Sequence, residues 1–502
     1  MTLSPRKLFA VFLLLTFVLK CEDLFAEKKF AFGKNCQLAY YSMMSLKLEE
    51  GKKYLAQERK ENPDNLMPDF IENYSDFFLL TINENSDELS KLEGNKEKRL
   101  NALSGGSEES PWYLYTQAEV NLQWALVHLK FEQYYTAFFE IKKAYNQLTT
   151  NEEKFPNFTA NKKSLGLVHA LIGAVPDSYK WAASFLGFSG TIEQGMNELN
   201  DVLEHGKQTP YLFTRETKYI YAYLQMMIMS NPKESWNIVT QNDFPDYRKD
   251  LLACYMRGHM AIKNGLNDVA IETFSSAPVN SEYMPFHYID YMLGMCRMNR
   301  LDSDANVPLE KFIKEFKGRN YLKDAYQKLA WYWLLQQNET KYNYYLAFCK
   351  TVGTELTDSD KQAKAEAENG IEPNIFLLKV RLTQDGGYYD KALSMLSGKS
   401  SDDFLSMKDK IEFTYRAGRI FQEKKDLTKA LQYFQWTIDR GEKYPYYFAA
   451  NAALQSALIY EEQKNNKKAA EYFHKCIAMK NVDYKNSLDS KAKAGLERVE
   501  KK

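Results

Sequence analysis

The chain has 502 residues, 45% of them hydrophobic, which is enough to bury a sizeable core and excludes a disordered chain. Lysine plus arginine number 66, as do aspartate plus glutamate, so the net charge is zero. That balance excludes the basic footprint of a nucleic-acid binder and leaves no polyacidic tail.

The N-terminus reads as an export signal. Arg6 and Lys7 precede an apolar run from Leu8 to Leu19, which suits a signal h-region and is too short to span a bilayer. Cleavage is expected near Ala26, making residues 1–26 a signal peptide. A lipid anchor on Cys21 and an uncleaved anchor are the alternatives; Lys20 ahead of Cys21 is not the small residue a lipobox wants. The expected location is therefore the periplasm or cell envelope of a bacterium, with membrane contact only through a lipidated Cys21. Cys36, Cys254, Cys296, Cys349 and Cys476 are widely spaced and lack a C-x-x-C motif. They read as small apolar fillers between helices, not as a disulfide framework.

Beyond residue 26 the chain reads as helix after helix. Prolines sit in turn-like contexts such as "NPDN", "TPYL" and "NPKE", as expected if they punctuate helices. Residues 27–103 hold two or three helices with poor repeat signal and end at a flexible "SGGSEESP". Degenerate helical repeats occupy 112–240, clearer repeats 246–484, and a polar capping helix 485–502.

A period emerges from small and aromatic residues. Gly418 is followed at twelve residues by Ala430 and at four more by Phe434; Ala457, Ala469 and Phe473 repeat the spacing, as do Gly258, Ala270 and Phe274. Two antiparallel helices joined by a tight turn cross closely at one level, and the residues that face each other there must lack bulk. The residue four further on, and the aromatic three after the first small residue (Phe421, Tyr460), are expected to pack into the neighbouring repeat.

This small–aromatic–small–aromatic pattern resembles the tetratricopeptide repeat, with degenerate copies and a 39-residue offset between the last two in place of 34. The resemblance implies an all-α fold, an α-α superhelix of at least seven helical pairs whose concave face binds a protein or peptide. In that family's pattern the groove residues here are Tyr255, His259 and Ile262 in one repeat and Tyr415, Arg419 and Gln422 in another. A second, narrower likeness covers Pro176, Gly187 to Gly190, Glu193 and Gly195-Met196, which are similar to a segment of the inclusion-body-clearance family of tetratricopeptide proteins.

The stretch "FLGFSGTIEQGMNEL" invites a catalytic reading. Met196-Asn197 follow the last glycine where a phosphate loop needs Lys and Ser/Thr, and Thr191 stands where a nucleophile elbow needs its second glycine. The stretch reads instead as a helix–helix turn, with Ala183 and Gly195 as the facing small residues and Gly190 equivalent to the turn residue Gly265. His128, His169, His205, His259, His287 and His474 show no metal-ligand spacing. The expectation is a non-enzyme without cofactor or metal: an exported scaffold for protein–protein interaction, or alternatively a glycan- or ligand-capture protein on the same helices; a hydrolase or transferase whose site the sequence does not reveal is the third reading.

Overall fold

A computed structural model of the chain describes residues 28–175, 187–480 and 482–500. The signal-peptide reading, Cys21, Pro176 and Ala183 lie outside the described residues. Among the described residues the secondary structure is helical, apart from one isolated bridge between Lys29 and Asn65. No described helix is long and apolar enough to cross a membrane.

The chain divides into two compact units. The first comprises residues 28–263, 272–289 and 315–319; the second comprises 264–271, 290–314 and 320–500. In the first, α1 (Lys34–Met44) pairs with α2 (Leu48–Glu61), followed by α3 (Met67–Asn83), α4 (Ser86–Leu92) and α5 (Gly94–Leu103). Then α6 (Pro111–Lys130) pairs with α7 (Tyr134–Lys154), α8 (Ala160–Gly173) with α9 (Ile192–Gln208), and α10 (Thr214–Met227) with α11 (Pro232–Val239), before α12 (Leu251–Lys263). Three helices, α13 (Asn267–Ser275), α14 (Tyr288–Arg300) and α15 (Asn306–Glu315), contribute residues to both units. The second unit continues with α16 (Leu322–Leu335) on α17 (Glu339–Phe348), then α18 (Asp358–Asn369), and α19 (Ile375–Asp385) on α20 (Tyr389–Leu396). It ends with α21 (Met407–Glu423) on α22 (Leu427–Gly441), α23 (Tyr447–Glu462) on α24 (Asn466–Ala478), and α25 (Lys485–Glu500).

One turn closes many of these pairs. The first helix ends in a residue of left-handed backbone: Glu132, Gln337, Gly387, Lys425 or Lys464. The next N–H reaches back to a carbonyl in the last turn, as in Asp426 N–H to Phe421 O at 3.0 Å and Asn465 N–H to Tyr460 O at 2.9 Å. This satisfies carbonyls that the helix end leaves open. The residue making that bond then caps the second helix: Asp426, Asn465 and Asn338 accept N–H bonds from Lys429, Lys468 and Lys341.

Above the turn the small residues have their expected job, with one change of partner. Ala430, Ala457 and Ala469 have no exposed surface. Gly418, however, is small because of Phe434: a Cβ there would sit 2.6 Å from the ring. Gly258 stands in the same relation to Phe274. The aromatics therefore pack back on their own hairpin, not only on the next repeat. Phe421 stacks on Tyr433 at 5.5 Å between ring centroids, and Tyr460 lies 5.5 Å from Tyr472. A residue twelve positions on has passed the turn and returned to the same height, which favours the contact within the pair. Phe473 does reach forward, against Gly495 of α25.

Two local expectations are corrected. Residues 34–103 form five helices, and the glycine stretch after them is packed: a Cβ at Gly106 would lie 2.6 Å from the Phe30 ring tip, and Ser110 caps α6 by accepting from Trp112 N–H. In "GFSGTIEQG", the left-handed glycine is Gly187, with φ +73°; Gly190 is outside that region, while Gly265 is within it at +69°. Gly190 is small for another reason, because a Cβ would lie 2.9 Å from the Cα of His169. Gly195 crosses α8, where a Cβ would meet Ala170 N at 2.5 Å. Its first-helix partner is thus α8.

Candidate functional site

In the second unit the three proposed groove positions separate. Tyr415 is 3% exposed and belongs to the core, with its ring 5.4 Å from Phe448 and 6.5 Å from Phe434. This corrects its assignment as a surface anchor: three residues before Gly418, it points between its own pair and the next. Arg419 and Gln422 lie half-buried one turn further along α21. Arg419 reaches Glu423 at 3.3 Å, while its Nε has no hydrogen-bond partner. Gln422 donates to Gln455 Oε1 of α23 at 3.1 Å, and Gln455 donates to Asn451 at 3.0 Å. The Gln422 Oε1 is left without a partner. These side chains form a polar line across the first helices of two successive pairs. Further toward the N-terminal end of α21, a pocket of about 300 Å³ opens among α18, α19, α21 and the start of α23.

In the first unit, Tyr255, His259 and Ile262 are half-buried on α12. The Tyr255 ring lies 5.0 Å from Phe286 and 5.6 Å from His259. Burial, and then Lys263, lower the His259 pKa to about 4, and its Nδ1 has no hydrogen-bond partner. The folded state thus holds His259 neutral where the unfolded chain takes up a proton, between pH about 6.5 and about 4. Acidification through that window should lower the chemical-denaturation midpoint. In a His259→Gln variant the decline should be smaller, and equal slopes would disprove this origin.

The first unit also contains a charged cluster that the sequence reading missed. Lys163, 1% exposed, lies 2.8 Å from Glu119 and 2.9 Å from Glu216. Tyr40 donates to Glu216 at 2.6 Å, Tyr74 to Glu216 at 3.1 Å, and Ser164 to Glu119. Burial pulls the Lys163 pKa down, but the two carboxylates outweigh it and hold the ammonium above its ordinary range. The cluster floors a mainly apolar cavity of about 160 Å³, whose walls include Phe77, Leu122, Leu167 and Ile220. The available signal was a charge inside each of three helical stretches, "TQAEVNL", "ANKKSLG" and "TRETKYI". Nothing in the spacing says that the three meet.

The Ser189 hydroxyl hydrogen-bonds the Tyr145 hydroxyl at 3.0 Å. Nearby, His169 Nδ1 lies 2.7 Å from Glu198. Ser189 and His169 share no hydrogen bond, so the geometry lacks the nucleophile–base contact of a hydrolase site. His128 is buried against Glu140 at 2.6 Å, and His474 lies 3.6 Å from Glu500. Cys36, Cys254, Cys296, Cys349 and Cys476 are all buried free thiols. Burial pushes Cys254 and Cys296 up to about 12, away from reactivity.

The tetratricopeptide-repeat family matches residues 450–483, which span α23, α24 and the loop beyond. No curated protein matches, so the likeness of the "GFSG" segment to the inclusion-body-clearance family finds no support. Among solved structures, the "Structure of Naa15/Naa10 bound to HypK-THB" is similar at a TM-score of 0.26 and 14% identity. That alignment covers 92% of this chain and 66% of the other. The chain is built of paired helices, and its residues 450–483 match the tetratricopeptide repeat.

Proposed function

We propose that this protein is an exported, non-catalytic scaffold that holds a polypeptide partner against the first-helix face of α21 and α23. The observation that carries the reading is the pair of unsatisfied polar atoms there, Arg419 Nε and Gln422 Oε1. A buried polar atom without a partner is costly, and an extended polypeptide supplies both donors and acceptors along its length. Repeat folds present such a face as a continuous surface. Export rests on Arg6, Lys7 and the apolar run after them; a native protein beginning at Glu27 is the expected mass-spectrometric result, and retention of Met1 would remove that part.

The decisive experiment places a photo-crosslinking amino acid at Gln422 or, on the second helix of the same pair, at the exposed Gln432. Polypeptide adducts are expected from position 422 and not from 432. Adducts from 432 alone would move the interface to the other face. A second reading, glycan capture, is favoured by Tyr444 and Tyr446, whose rings lie within 5° of parallel. It requires sugar binding that Tyr444→Ala abolishes, and normal binding in that variant would sink it.

A further inference from the structure

In the first unit α7, the second helix of its pair, turns a row of aromatic side chains to solvent. At 3.6 residues per turn, Ala137, Glu140, Ala144 and Leu148 share one face, and all four are buried. The opposite arc carries Tyr134, Tyr135, Phe138, Phe139, Lys142 and Lys143. Tyr135 is 78% exposed and Phe139 52%, with their ring centroids 4.8 Å apart. Phe138 lies 5.3 Å from Phe139 and 5.8 Å from Phe188. Single exposed apolar side chains are ordinary, whereas a contiguous aromatic row marks a contact surface. The charge along this stretch has one sign. Between Gln133 and Asn151 the one acid is Glu140, which turns inward to His128 at 2.6 Å and to Lys96. Glu132, in the turn ahead, is held by Arg319 at 2.5 Å. Lys142 lies 4.9 Å over the Phe188 ring and donates to Gly187 O at 3.2 Å. Lys143 is exposed and makes no ion pair or hydrogen bond among the described residues.

We propose that the outer face of α7 is a peripheral membrane contact, made with the surface of an anionic lipid bilayer. The helix lies in the plane of that surface. Tyr135 and Phe139 enter the boundary between headgroups and acyl chains, and the tyrosine hydroxyls stay level with the headgroups. Lys142 and Lys143 meet the lipid phosphates, where each cation near an anionic surface adds to binding. Deeper entry is barred because the inner face of α7 is committed to α6 through Ala137 and Ala144, which have no exposed surface. The unsatisfied polar atoms of the α21 face have no counterpart among the described residues of this one. A polypeptide is read at such fixed positions, whereas a fluid lipid surface asks only for apolar area and an excess of one charge. The contact is separate from any anchor on Cys21. It is also independent of the polypeptide interface on α21 and α23, which belongs to the other unit.

The test is co-sedimentation of the full chain with sucrose-loaded vesicles, of phosphatidylcholine alone or mixed with phosphatidylglycerol. Binding should be stronger on the mixed vesicles and weaken with added salt. The double variant Tyr135→Ser, Phe139→Ser should partition about tenfold less or worse, through lost apolar burial. Lys143→Gln should weaken binding about fivefold. Phe139→Trp should keep it, because tryptophan suits the same interfacial depth. Leu405→Ser, which removes an exposed apolar side chain in the second unit, should leave it unchanged. All these positions but Phe139 can change without touching the core, and thermal melts matched to the wild type confirm that each variant is folded. No binding to the mixed vesicles, or wild-type binding by the double variant, would overturn the proposal. Equal binding to the two vesicle types would also overturn it, by tracing attachment to the apolar run at residues 8–19. A photo-crosslinking residue at position 135 that captures a polypeptide, in a chain that binds no vesicles, would give the face to a protein partner instead. Crosslinking from position 422 is expected to survive in every α7 variant, so failure here leaves the polypeptide interface standing, and failure there leaves this contact standing.

Discussion

Replacing Lys163 with methionine is expected to destabilise the first unit by about 3–5 kcal/mol. The substitution nearly preserves the volume of the stem, so lost packing contributes little. What it removes is the cation shared by Glu119 and Glu216, at 2.8 and 2.9 Å. Glu119 is 3% exposed, and water cannot take the place of the ammonium. The hydroxyls of Tyr40 and Tyr74 still donate to Glu216, but two carboxylates sharing a buried site repel one another and one must take up a proton. The loss should therefore shrink as the pH is lowered from about 8 to about 5, because a stranded carboxylate with a raised pKa protonates over that range. Adding Glu119→Gln to the methionine variant should recover part of the stability. Urea denaturation followed by circular dichroism reads the wild type and both variants. An unchanged midpoint for Lys163→Met would mean that solvent reaches the cluster.

Ala430→Phe should cost the second unit about 1–3 kcal/mol or more through overpacking. Ala430 has no exposed surface and lies in the same core cluster as Ile411, Phe434 and Ala457. Gly418 is already pressed against the Phe434 ring, so the crossing has no slack to yield to a second ring at the same level. The matched control is Gln432→Phe, two residues along α22 and exposed, where the change should stay within about 0.5 kcal/mol. Equal midpoints for the two variants would refute the placement of Ala430 at the crossing.

The sequence by itself determined the helical class and the level at which paired helices cross. Those follow from spacing along one chain: small residues twelve apart across a turn, an aromatic one helical turn beyond, and Asn or Asp at the cap. The tightness of the hairpin makes them local properties. Even there it was incomplete, because left-handed turn positions at Glu132, Gln337, Lys425 and Lys464 carry no glycine to mark them. Their conformation is imposed by the backbone bond that closes the helix end. The spacing between α8 and α9 hid the partner of Gly195, since a separation of unusual length breaks a fixed period. Which side of a helix is surface was decided only by tertiary packing. Tyr415 and Arg419 are four apart and share a face in the repeat pattern, yet Phe448 of the following pair covers the first and leaves the second half-open. The Lys163 cluster depends on tertiary structure entirely. It assembles charges from several helices far apart in sequence, and attraction between charges has no periodicity along the chain to reveal it.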